Sequence, residues 1–143
     1  MKIRKRLGIG ACVLLIVSCF LSWTWYPDIE KYFSGFFSEG NYYGKPGKLL
    51  CFFAITGIAC YFIEKEWTKR LNLIFGGLCV GYALTTFLRF SASYDGFVPE
   101  KQFGIYLMLF SATLHILMAA LASAGRMVQV PVNKELNAEV DEK

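Results

Sequence analysis

The chain has 143 residues, of which 55% are hydrophobic, 17% aromatic and only 18% charged, with a mean hydropathy of +0.42. That balance is too apolar for an ordinary soluble domain and fits one compact membrane domain. The net charge of +4 does not point to nucleic acid, because the Lys and Arg residues fall in short clusters between apolar runs, where they set membrane topology.

Four basic residues, Lys2, Arg4, Lys5 and Arg6, precede the first apolar run, at about 7–26. A positive flank before a hydrophobic run marks either a signal peptide or a first transmembrane helix with its N-terminus in the cytoplasm. Ile16-Val17-Ser18-Cys19 has the form of a lipobox, which makes Cys19 an alternative lipidation site. Against cleavage, the run continues through Phe20, Leu21 and Trp23, beyond the length of a signal-peptide core.

Between Thr24 and Lys48, the residues Ile29, Tyr32, Phe33, Phe36 and Phe37 recur at helical spacing opposite Asp28, Glu30 and Lys31. The spacing predicts a short amphipathic helix on the outer membrane surface, following Pro27. Trp25, Tyr32, Phe33, Phe36 and Phe37 then form an outer aromatic patch, which either packs on the mouth of the bundle or meets a partner. Gly35, Gly40, Gly44, Pro46 and Gly47 break regular structure before the second run.

The second span covers about 48–64 and is short, so Lys48 must snorkel outward. Glu64 to Arg70, EKEWTKR, reads as a charged cytoplasmic turn with an interfacial Trp67. The third span, at about 71–90, carries Gly77 and Gly81 in a small-xxx-small step, which serves either packing within the chain or an oligomer contact. Arg89 near its outer end snorkels and pairs with Asp95 or Glu100. Tyr94-Asp95-Gly96 and Pro99 mark the second outer loop.

The fourth span, at about 103–125, is free of Asp, Glu, Lys and Arg from Gly104 to Gly125. Its nine Leu, Ile and Phe residues between Phe103 and Leu121 are worth roughly −3 to −5 kcal/mol of insertion free energy. Beyond it, residues 127–143 form a short polar cytoplasmic tail, with Pro131 ending any helix. Ten Lys and Arg on one side against five on the other favour both termini in the cytoplasm. Similar turns after the odd spans, Tyr26-Pro27-Asp28 and Tyr94-Asp95-Gly96, suggest a pair of helical hairpins.

Chemistry must come from the few polar groups at mid-depth: His115, the sole histidine, with Ser18, Thr56 and Tyr82 as hydrogen-bond candidates and Arg89 further out. His115 reads as a structural interhelical hydrogen bond, as a proton-relay or ligand site, or as a haem ligand whose other axial group is a methionine such as Met108 or Met118 or comes from a second subunit. The five cysteines, Cys12, Cys19, Cys51, Cys60 and Cys79, all lie within apolar runs and none is spaced CxxC, so neither a disulfide framework nor a zinc site is indicated. There is no HExxH and no glycine-rich phosphate loop, and no carboxylate lies inside a span.

The sequence therefore reads as an all-α integral membrane four-helix bundle over residues 1–126, in a bacterial inner (plasma) membrane. Its expected role is that of a non-enzymatic accessory or interaction subunit without cofactor or metal, whose partners are the lipid bilayer and another protein or a second copy, not nucleic acid. Two alternatives remain: a small transporter or proton-linked carrier centred on His115, Tyr82 and Arg89, and a haem- or quinone-associated redox subunit.

Overall fold

Each apolar run forms a helix in the computed structural model, which describes residues 2–38, 44–63, 65–92, 96 and 98–124. The helices are α1 (Lys2–Phe20), α2 (Pro46–Phe62), α3 (Glu66–Ser91) and α4 (Phe103–Ala124). α1 packs on α2 and α4, and α3 packs on the same two, so the four close into a ring with α1 and α3 on one diagonal. The polar tail, Gly40, Glu64 and, in the second loop, Tyr94 and Asp95 lie outside the described residues.

α3, with 26 residues, and α4, with 22, are long and apolar enough to cross a membrane. α2 is an apolar helix of 17 residues, about 25 Å at 1.5 Å per residue. In α1 the charge-free stretch runs from Leu7 to Phe20, about 21 Å.

The ring is lined by small side chains. Ala11, Cys12, Ala54, Gly57, Cys79, Ala83, Ser111, Ala112 and Ala119 are buried, while Val13, Val17, Phe52, Ile55, Ile74, Leu78, Leu88, Phe110 and Leu117 are exposed. Small inward residues let helix backbones approach closely, and the larger apolar side chains are left on the outside.

The first outer loop departs from the helical reading. Strands β1 (Ser22–Tyr26) and β2 (Lys31–Ser34) form an antiparallel hairpin around a single 3-10 turn at Pro27–Ile29. A third strand, β3 (Glu100–Lys101), pairs with the other edge of β1, so the fold is mostly helical but not all-α. The reason is local: Ser-Trp-Thr-Trp-Tyr is rich in aromatic and β-branched residues, which favour strand over helix. Pro27 then sets the turn, and Glu30 closes it in the left-handed conformation at φ 50°. Tyr32 points out and Phe33 in, a period of two rather than 3.6.

This β cap seals the end of the ring where α1 and α3 finish and α2 and α4 begin. The Trp23 indole donates to the Ser18 carbonyl at 2.7 Å, terminating α1 at Phe20 rather than near Tyr26. Trp23 is fully buried and meets Phe90 of α3 edge-on, with ring centroids 5.2 Å apart. The Gln102 amide donates to the Trp23 carbonyl at 2.8 Å, tying the start of α4 to the same strand. Behind β2, Gly35 and Gly47 meet backbone to backbone, with the Gly47 amide donating to the Gly35 carbonyl at 2.7 Å. A Cβ on Gly35 would lie 2.8 Å from the Cys19 carbonyl oxygen and 2.9 Å from the Trp23 ring.

The opposite end carries Arg4, Lys5, Arg6, Lys65, Lys69 and Arg70. Lys65 to Arg70 do not form a turn: α3 begins at Glu66, and Lys69 pairs with Glu66 at 3.0 Å one turn apart. Arg4 donates to the Leu121 carbonyl at 3.1 Å in the last turn of α4. Lys5 lies over the Phe62 ring at the end of α2.

Candidate functional site

The polar centre of the ring is built by three helices around His115. An imidazole inside an apolar bundle needs a partner, and α3 supplies it: His115 Nε2 donates to Asn72 Oδ1 at 3.1 Å, with both side chains buried. The Tyr61 hydroxyl of α2 donates to the His115 carbonyl at 3.4 Å. Tyr61 and His115 rings sit 6.0 Å apart. Three helices are thereby linked through one buried network.

Two glycines make the space. A Cβ on Gly57 of α2 would lie 2.8 Å from His115 Nε2, 2.9 Å from its Cε1 and 3.1 Å from Cys12 Sγ. One on Gly8 of α1 would overlap the Tyr61 ring. The imidazole and the phenol thus occupy the volume those side chains would take.

Because Asn72 Oδ1 can only accept, Nε2 carries the proton and Nδ1 presents a lone pair. His115 Nδ1 is buried and finds no hydrogen-bond partner among the described residues. No carboxylate occurs in α1, α2 or α4, and the one in α3 is Glu66 at its first residue. Nothing in the helices therefore supplies an anion to balance an imidazolium, and the Tyr61 hydroxyl is engaged by the backbone. The arrangement fits a neutral imidazole that ties helices together.

The chain matches no known protein family, curated protein or solved structure. Among the described residues, no group of three or more His, Cys, Asp or Glu could hold a metal ion. Met118 lies three residues beyond His115 on α4, and both are buried. One helix face thus presents both toward the same side, whereas axial haem ligands must approach from opposite sides.

The polar groups singled out from depth do not meet His115. Ser18 donates to the Leu15 carbonyl of its own helix at 2.7 Å, close under the cap. Thr56 does the same to Phe52 at 2.8 Å. Tyr82 is half-buried and lies ten residues along α3 from Asn72, about 15 Å. Arg89 is exposed in the last turn of α3, and no ion pair joins it to Glu100 among the described residues.

The network also sits off-centre. His115 is six residues from Leu121, which Arg4 reaches, and Asn72 is six residues from the start of α3, so both lie about 9 Å in from the basic end. Asn72 was detectable as an amide among apolar residues at the edge of the third run. Counting that run from Leu71 concealed it, since the helix starts five residues earlier.

The glycine step divides unexpectedly. Gly76 faces α4, where an added Cβ would lie 3.3 Å from the Ile116 Cα. Gly77 and Gly81 are exposed, and nothing lies within 4 Å of a Cβ on Gly81. Of the outer aromatics, Tyr32 and Phe37 are exposed, Trp25 and Phe36 half-buried, and Phe33 is fully buried against Tyr26 at 4.6 Å between centroids. Phe33 thus belongs to the core of the cap rather than to a surface patch.

Proposed function

We propose that this chain is a four-span integral membrane protein with both termini in the cytoplasm, acting as a non-enzymatic accessory or interaction subunit. The observation that carries the reading is the outward apolar surface shared by all four helices: Val13 and Val17 on α1, Phe52 and Ile55 on α2, Ile74, Leu78 and Leu88 on α3, Phe110 and Leu117 on α4. Water would penalise exposed surface of this extent, whereas hydrocarbon solvates it. Asn72 and Tyr61 both engage His115 across helices, which favours a packed scaffold over a reaction centre.

The contact face of such a subunit is the outer side of α3, where Gly77 and Gly81 leave a shallow step between Ile74, Leu78 and Leu84. A partner helix or a second copy would approach closely there. Native mass spectrometry of protein extracted gently from its own membrane tests the reading. A stoichiometric partner or a homo-oligomer weakened by Gly81→Ile supports it; a bare monomer overturns the interaction role. Release from membranes by alkaline carbonate would overturn the membrane assignment itself.

One observation favours a second reading, a proton-linked carrier centred on His115: the Nδ1 lone pair has no partner among the described residues. That reading requires proton-coupled uptake that His115→Ala abolishes in folded protein. Uptake unchanged by the substitution rules it out.

A further inference from the structure

The two ends of the helical ring differ in charge. Residues 2–6 and 64–70, together with the tail at 126–143 that the sequence assigns to the same side, hold ten Lys and Arg against six Asp and Glu, a net of +4. Residues 27–48 and 89–101, at the capped end, hold five Lys and Arg against five Asp and Glu, a net of zero. The structure then separates the basic side chains that are engaged from those that are not. Arg4 is held by the Leu121 carbonyl, Lys5 by the Phe62 ring and Lys69 by Glu66. Arg6, Lys65 and Arg70 are exposed and make no hydrogen bond or ion pair among the described residues.

These three project from the same end of the ring. Arg6 follows Lys5, which contacts the last residue of α2, and Lys65 and Arg70 flank the first turn of α3 directly after α2. Trp67 lies among them, 72% exposed, with Ile3, Phe62 and Ile63 also exposed at this end. An indole beside unpaired cations, next to apolar side chains, matches the boundary between acyl chains and phosphate headgroups. Long basic side chains reach from that boundary toward phosphate oxygens.

We infer that this end binds anionic phospholipid headgroups through Arg6, Lys65 and Arg70, with Trp67 seated at the acyl–headgroup boundary. The inference rests on the membrane reading above and adds a lipid class and a leaflet: the protein selects the negatively charged cytoplasmic surface. A juxtamembrane basic side chain contributes roughly fivefold in affinity at low salt, so three contribute on the order of 100-fold.

The test uses the full-length protein in a zwitterionic detergent, titrated with phosphatidylglycerol or phosphatidylcholine, with bound lipid counted by native mass spectrometry. Wild type should hold phosphatidylglycerol on the order of 100-fold more tightly than phosphatidylcholine at low salt, and salt should weaken that preference. Arg6→Gln/Lys65→Gln/Arg70→Gln should abolish the preference, whereas Arg6→Lys/Lys65→Arg/Arg70→Lys should retain it. Lys45→Gln/Lys48→Gln/Lys101→Gln, at the capped end, should leave it unchanged. Equal binding of both lipids, or equal loss from the capped-end variant, overturns the proposal. So does displacement by inorganic phosphate beyond that caused by chloride of equal ionic strength, which would identify a free-phosphate site. Alkaline carbonate extraction separates the two levels: release from membranes overturns both readings, while retention without lipid preference overturns this one alone.

Discussion

Adding one methyl group at Gly57 tests the central network most directly. The new Cβ would stand 2.8 Å from His115 Nε2, 2.9 Å from its Cε1 and 3.1 Å from Cys12 Sγ. The imidazole is fully buried and cannot retreat without leaving Asn72. Overpacking of this kind costs about 1–3 kcal/mol, and losing the His115–Asn72 hydrogen bond adds about 1 kcal/mol. Against this, Ala is favoured over Gly in a helix by about 1 kcal/mol. Gly57→Ala should therefore destabilise the protein by about 1–3 kcal/mol net. Gly81→Ala serves as the matched control, because nothing lies within 4 Å of its added Cβ. It should be neutral, or stabilise the monomer by up to about 1 kcal/mol. Reversible unfolding in mixed micelles, followed by circular dichroism, gives both values. The double variant Gly57→Ala/His115→Ala completes a cycle: with the ring removed, the methyl group has room, and its cost should largely vanish. Equal stability of Gly57→Ala and Gly81→Ala, or additivity in the cycle, would refute the packing argument.

Other substitutions probe the remaining contacts. Asn72→Ala leaves the buried His115 Nε2 proton without an acceptor and should cost about 1–3 kcal/mol in the same unfolding assay. Asn72→Ala/His115→Leu removes both polar groups and should recover part of that loss. Gly104→Ala directs a Cβ to 2.5 Å from the Ser22 carbonyl and 2.9 Å from Leu21 Cβ, so it should loosen the cap, read as faster amide exchange in β1. Trp23→Phe deletes the bond to the Ser18 carbonyl and should cost about 1–3 kcal/mol, measured by thermal unfolding. Tyr32→Ser removes the ring that packs on Trp25 across the hairpin, with centroids 4.2 Å apart, and should cost about 0.5–1.5 kcal/mol in thermal unfolding.

The helices were legible because apolar runs longer than a dozen residues have few other solutions, and their charged ends limited the boundaries. The cap was not, and the reason lies in Trp23, Trp25 and Tyr26. Aromatics at the end of an apolar run carry two meanings, an interfacial belt on a helix or the start of a strand. What decides here is the Trp23 indole reaching back to the Ser18 carbonyl, which ends α1 and frees the chain to extend. The ambiguity then carried into β2: Tyr32, Phe33, Phe36 and Phe37 fit helical spacing, but within the strand Tyr32 and Phe33 fall on opposite faces. His115 was legible as the polar centre because it is the sole histidine. Its partner was not, because a depth count assigns a level and never a facing direction, and Asn72 shares its direction.

The same limit explains the glycines. In sequence, Gly76, Gly77 and Gly81 form one group, and the four-residue step between Gly77 and Gly81 suggests the close packing surface. The structure separates them by rotation: one residue along a helix turns by about 100°, enough to put Gly76 on α4 and Gly77 outside. Interior packing therefore falls to Gly57 and Gly76 together with the alanines and cysteines around them, while the step at Gly77 and Gly81 lies outside. A small residue exposed to hydrocarbon gains nothing there by being small, since a leucine would be solvated equally well. Smallness on that face has a physical consequence only when another helix approaches it, which is why the outward direction of Gly81, rather than its spacing from Gly77, supports the interaction role.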